Sequence, residues 1–121
     1  MVVGKNIMKL LVLEQNELIS DIYKKIFDEK KYYADYAKSE SECIEKFDEN
    51  YDYVVLEHLK SRFLEEKIRR IKPSQKILSL EPFMKTDIPL ELKETQDLID
   101  KPFAILTLFS KLEIENSNQY V

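Results

Sequence analysis

Glycine is almost missing from this chain. Gly4 is the only one in 121 residues, against an ordinary usage of about 7%. Loops that cradle phosphate on successive backbone amides need several glycines, so P-loop and dinucleotide-binding enzymes are excluded. Cys43 is also alone, which rules out an internal disulfide and any thiolate metal cluster. In "SECIEKF" it reads as a small hydrophobe facing the core from a helix. His58 is the single histidine; with no further His or Cys ligands to join it, it reads as a partly exposed loop residue rather than a metal ligand. Long apolar runs are absent too. The longest near the start is Leu10 to Leu13, far short of a spanning helix or a signal-peptide core, so the expectation is a cytoplasmic protein without membrane contact. Nor does charge of one sign accumulate: the net charge is −4 with acids and bases interspersed. Without a basic stripe to follow a phosphate backbone, nucleic acid is not an expected partner.

What is present describes a folded domain. Charged residues make up 35% and hydrophobic ones 44%, the balance of a soluble globular chain. At 121 residues it fits one domain that buries roughly two thirds of its unfolded surface. That single domain is expected to span 1–121, with its core over about 8–115 and flexible ends at 1–7 and 116–121.

Periodicity sets the order of elements. "KLLVL" (9–13) is a continuous apolar run ending in "EQNE", the pattern of a strand buried on both faces. Leu18, Ile19, Ile22, Tyr23, Ile26 and Phe27 then recur at helical spacing. "KYYADYA" reads as a second strand nearer an edge, and Ser39 with Glu42 forms a capping-box signature for a helix that turns Cys43, Ile44 and Phe47 inward. "DYVVLE" is apolar enough for the centre of a sheet. Phe63, Leu64, Lys67, Ile68 and Ile71 share a face of a third helix that Pro73 stops. "KILSL" is a fourth strand and "DLID" a fifth, with a short helix around Leu90 to Glu94 between them. "KPFAILTLFSKLEIE" closes the chain as a helix with Ile105, Leu108, Phe109 and Leu112 at core spacing. Strands alternating with helices predict an α/β fold: a five-stranded parallel sheet in the order 2-1-3-4-5, covered on both sides as a three-layer αβα, flavodoxin-like sandwich.

In such sheets chemistry sits outside the carboxyl ends of the strands. The residues expected there are Glu14 and Gln15, Glu57, Ser79 and Lys101. This set, in this order, resembles the receiver (CheY-like) domain of two-component response regulators over nearly the whole chain. In that family the first strand ends in an acid pair, matched by Glu14 and Gln15; "YDYVVLEHL" matches the strand that ends in the phosphoacceptor aspartate, with Glu57 in the acceptor's place. Ser79 matches a Ser or Thr at the end of the fourth strand, and Lys101-Pro102-Phe103 a Lys-Pro pair after the fifth.

The departures concern the same residues. One metal-side carboxylate is the amide Gln15, and the acceptor is one methylene longer. Magnesium demands near-octahedral oxygen ligands at about 2.0–2.1 Å, so the resemblance implies weak or absent magnesium binding and no bound cofactor. The loop "HLKSRF" lacks the usual proline and glycines, and Leu98 stands where an aromatic switch residue is common. The resemblance therefore implies an atypical, stand-alone receiver, not an enzyme. It would act in bacterial phosphorelay signalling by binding a protein partner independently of phosphorylation, with Glu57 paired to Lys101 and Ser79 donating to the same carboxylate. Two other readings stay open: a working phosphorelay receiver that takes phosphoryl on Glu57 with magnesium, and a small α/β enzyme using Glu14 and Glu57 as acid and base. A Glu57–Lys101 pair is also what charge compensation alone would give. On the last helix Phe103, Leu106 and Ile114, with Leu98 before them, form a second apolar face. By resemblance this region is an interaction surface, a homodimer through the last strand and helix included.

Overall fold

The computed structural model describes residues 7–57, 61–81 and 89–118. Four parallel strands, β1 (Lys9–Leu13), β2 (Tyr33–Ala37), β3 (Tyr53–Glu57) and β4 (Lys76–Leu80), lie in the order β2-β1-β3-β4. Helices α1 (Glu17–Glu29), α2 (Glu40–Lys46), α3 (Arg62–Ile71) and α4 (Lys93–Asn118) alternate with them, and a single 3-10 turn, Leu90–Leu92, leads into α4. No helix among the described residues is long and apolar enough to cross a membrane.

Strand alternation divides the core in two. Leu10 and Val12 of β1, Tyr53 and Val55 of β3, and Leu78 and Leu80 of β4 pack against α1 and α4 through Ile19, Tyr23, Phe27, Ile105, Leu108 and Leu112. The opposite side chains, Leu11, Val54 and Leu56, meet Cys43 of α2 and Leu64 and Ile68 of α3. A parallel sheet covered on both faces has to be apolar on both, which is why "LLV" and "VVL" run without a polar break. At β2, the edge strand, Lys46 Nζ reaches from the end of α2 to the carbonyl of Tyr36 at 2.7 Å.

The helix ends follow from local chemistry. Asn16 Oδ1 accepts from the amides of Leu18 and Ile19 and starts α1. Ser39 Oγ accepts from Glu42 N, while Glu42 Oε1 reaches back to the amide of Lys38 rather than that of Ser39. At the far end of α1, Lys31 N donates to Asp28 O and Tyr32 N to Phe27 O, a Schellman closure with Lys31 at φ 61° and the Phe27 and Tyr32 rings 6.1 Å apart.

Three expectations are corrected. Asp97–Asp100, read as a fifth strand, is helical, and no fifth strand occurs among the described residues. Asp100, Lys101, Ala104, Ile105, Leu108 and Leu112 are all buried; their three- and four-residue spacing is that of one helix face, which carries α4 back through Lys101. Pro102 therefore lies inside a helix, where it lacks the amide that would bond the carbonyl of Leu98. In α3 only Leu64 and Ile68 of the predicted face are buried; Phe63 is 74% exposed and Ile71 is exposed too. A helix lying on a sheet buries a stripe one or two residues wide, and the predicted face was broader than that. The proposed short helix near Leu90 is the single turn before α4.

Candidate functional site

The pairing of β1 with β3 sets Leu10 against Tyr53 and Val12 against Val55. Continuing that alternation by two residues places Glu14 and Glu57 on the same face, at the carboxyl ends of strands about 4.8 Å apart. Two adjacent carboxylates repel unless a cation lies between them. Since α4 covers this face, it supplies the cation. Lys101 Nζ lies 3.2 Å from both carboxylate oxygens of Glu14 and 3.0 Å from Glu57 Oε1. The amide of Asn16 donates to Glu14 Oε2 at 3.0 Å. Glu14 is 4% exposed and Lys101 9%, whereas the Glu57 side chain keeps 27% of its surface at the rim of an open cleft of about 390 Å³.

Burial disfavours the charged amine of Lys101, but the hydrogen bond to Glu57 and the charges of Glu14 and Glu57 outweigh it, and the ammonium is held above its ordinary 10.5. Tyr23 lies in the core under the pair; burial first, then the charges of Glu14 and Glu57, push its hydroxyl far above the usual tyrosine range. Both shifts act at high pH. A lysine whose folded pKa exceeds its unfolded one contributes fully below about 10.5 and loses that contribution as pH rises through the folded value. A tyrosine with a raised folded pKa likewise costs stability as pH rises past its ordinary 10.0. Urea midpoints followed from about pH 8 to about pH 12 are expected to fall steeply at the alkaline end. Lys101→Met should flatten part of that limb and Tyr23→Phe another part; a limb unchanged in both variants contradicts the assignment.

The other predicted residues divide. Gln15 is exposed on the cleft wall, beside Lys38 and Ser39. Ser79 is not brought to the site. It pairs with Leu56, while Leu80 pairs with Glu57. Its hydroxyl thus belongs to the α2/α3 side of the sheet, with Ile77, and donation to Glu57 is corrected on that ground. Leu98, Phe103, Leu106 and Ile114 are all exposed on α4. His58 lies outside the described residues. Ser61 was not anticipated: it is 5% exposed, precedes α3, makes no capping hydrogen bond there and lines the cleft. Its sequence signal was a serine directly before a helical apolar pattern.

An ammonium takes the space between the two carboxylates. The ammonium lies within 3.2 Å of three of the four carboxylate oxygens of Glu14 and Glu57, and the next candidate ligand, Gln15, is an uncharged amide.

A doubly covered parallel sheet with its charged cluster at the carboxyl edge defines a flavodoxin-like αβα domain. No family model and no curated protein matches the sequence. Solved structures do match, and they narrow the class. The receiver domain of non-phosphorylated HemR from Leptospira biflexa aligns over 88% of this chain and 91% of its own, with TM-score 0.66 and 21% identity. A CheY-like response regulator receiver domain protein from Methanospirillum hungatei aligns over 94% and 99%, with TM-score 0.62 and 17% identity. A complex of the histidine kinase ThkA with the response regulator TrrA contains a chain that aligns over 72% of this one and 79% of its own, with TM-score 0.57 and 24% identity. The fold of this chain is the CheY-like receiver fold.

Proposed function

We propose that this chain is a receiver-type module of two-component signalling that recognises a protein partner without being phosphorylated. The observation that carries the reading is the bridge from Lys101 to both Glu14 and Glu57. It puts a fixed positive charge among the carboxylates, where a receiver would otherwise need a metal ion, and it uses Glu57 Oε1, an oxygen an acceptor would have to present. In-line phosphoryl transfer tolerates little displacement, with about 1 Å able to cost on the order of a hundredfold. The partner class is a signalling protein such as a histidine kinase, since a chain of this fold occurs in complex with one. An acid–base enzyme is less well supported, because one ammonium holds both carboxylates and Glu14 is only 4% exposed.

The test is incubation of the full chain with acetyl phosphate and magnesium, followed by intact mass, and in parallel a fluoroberyllate titration followed by amide NMR shifts. The expected result is no phosphoryl adduct and no shift at Glu57 or Lys101 at millimolar magnesium. A stoichiometric adduct on Glu57 would replace this reading with that of a working phosphorelay receiver.

A further inference from the structure

The mixing of charges that holds along most of the chain fails on one side of the sheet. Residues 40–52, which are α2 and the loop after it, hold six acids and one lysine. Residues 61–76, which are α3 and its flanks, hold six Lys or Arg and two acids. The two segments carry −5 and +4, and the remainder of the chain −3, within the total of −4. Helices α2 and α3 lie side by side, since both cover the face of the sheet that holds Leu11, Val54 and Leu56. The surface they present is an acidic half beside a basic half. Part of this charge is compensated within the chain: Lys46 pairs with Glu42 at 3.2 Å, Arg69 with Glu65 at 3.2 Å and Lys9 with Asp48 at 3.9 Å. Glu40 and Glu45 on α2, and Arg62, Lys67 and Arg70 on α3, are exposed and make no ion pair among the described residues. Phe63 is 74% exposed and Ile71 55%, so apolar surface lies within the basic half.

From this division we infer that the α2/α3 side docks onto the same side of a second copy of this chain, about a two-fold axis parallel to the two helices and midway between them. Rotation about that axis lays α2 of each copy along α3 of the other, so every contact of acid with base occurs twice. A two-fold axis across the helices would instead set α2 on α2 and α3 on α3, like charge on like. The spacing fits as well. Both helices return from the carboxyl edge of a parallel sheet and so run in the same direction. Glu40 and Glu45 are five residues apart, as are Arg62 and Lys67, and each pair starts at the first residue of its helix. With the first turns level, Glu40 faces Arg62 of the other copy and Glu45 faces Lys67. Glu66 lies one turn from both Arg62 and Arg70, and its charge is offset within the basic half. Phe63 and Ile71 add apolar area to the contact. This surface lies on the opposite side of the sheet from α4, and the inference does not depend on the phosphorylation state of Glu57.

Sedimentation equilibrium of the full chain at two ionic strengths tests it. Half-dimerisation is expected on the order of 100 µM in about 0.1 M salt, in keeping with a small, polar interface. In about 1 M salt, where charges are screened beyond about 3 Å, dimerisation should weaken at least about tenfold. An interface held by apolar area would not weaken in this way. Glu45→Lys alone and Lys67→Glu alone should each dimerise at least about tenfold more weakly than the unaltered chain, because the two-fold axis repeats each like-charge contact. Mixed one to one, the two variants should form a heterodimer, since the introduced ammonium then faces the introduced carboxylate and the original Glu45 faces the original Lys67. Both positions are exposed, and unchanged far-UV circular dichroism shows that folding is intact. An unaltered chain that is monomeric at about 500 µM in about 0.1 M salt overturns the inference. Dimers that persist in about 1 M salt or in both variants, or a mixture that does not associate, overturn it as well.

Discussion

Replacement of Lys101 with methionine is expected to destabilise the chain by about 3–5 kcal/mol, the loss seen when one partner is removed from a buried ion pair. The reason is what remains. Glu14, 4% exposed, would stand beside Glu57 at the carboxyl edge of adjacent strands, with the Asn16 amide, among the described residues, left to hold its charge. Because Glu57 keeps part of its surface in water, the lower half of that range is expected. Against a total stability of about 5–15 kcal/mol the variant approaches its unfolding threshold at neutral pH. Glu14→Gln in the same chain should recover much of the deficit at neutral pH. Urea denaturation of the single and double variants at neutral pH measures both the loss and its recovery. A loss under about 1 kcal/mol, the size of an exposed pair, would show that the bridge is no more than surface compensation.

Phe27→Ala is expected to cost a comparable amount, about 3–5 kcal/mol. Phe27 is 2% exposed, and its ring centre lies 5.8 Å from Tyr23, 6.1 Å from Tyr32 and 6.3 Å from Phe109. The cluster fastens α1 to α4, and Tyr32 adds a hydrogen bond from its hydroxyl to Glu113. Truncation opens a cavity that rings fixed on three sides cannot fill. Phe27→Leu, which keeps most of the volume, should lose well under half as much. Denaturant midpoints distinguish the two. Equal losses in both would mean that the packing round Phe27 collapses freely.

The four described strands were legible because their signal is continuous: "KLLVL" and "YVVLE" are apolar on both faces, and the mixed pattern of "YADYA" fits an edge strand. Helix α1 was legible from spacing and α2 from Ser39 and Glu42. Other features depended on relations that a linear pattern does not contain. Glu14 and Lys101 are 87 residues apart, and their contact needs the stagger of β1 on β3 as well as the seat of α4. Ser79 shows how narrow that dependence is, since a shift of one residue in the pairing of β4 moves a side chain to the other side of the sheet. The start of α4 was misread because two of its buried positions, Asp100 and Lys101, are charged, and a charged residue on the inward face hides helical periodicity from any hydrophobic pattern. Pro102 compounded this by looking like a boundary.

The turn out of α1 shows what scarcity of glycine means for the finished molecule. Lys31, with a full side chain, occupies the left-handed region that glycine usually fills, at a backbone cost of about 1–2 kcal/mol. Glycine at that point would ease the strain and enlarge the unfolded ensemble, and the two effects largely offset each other. Hydrogen bonds and ring contacts hold the turn in place of a permissive backbone. A chain built in this way has few natural pivots. The turn is fixed in shape by its own contacts rather than free to pivot.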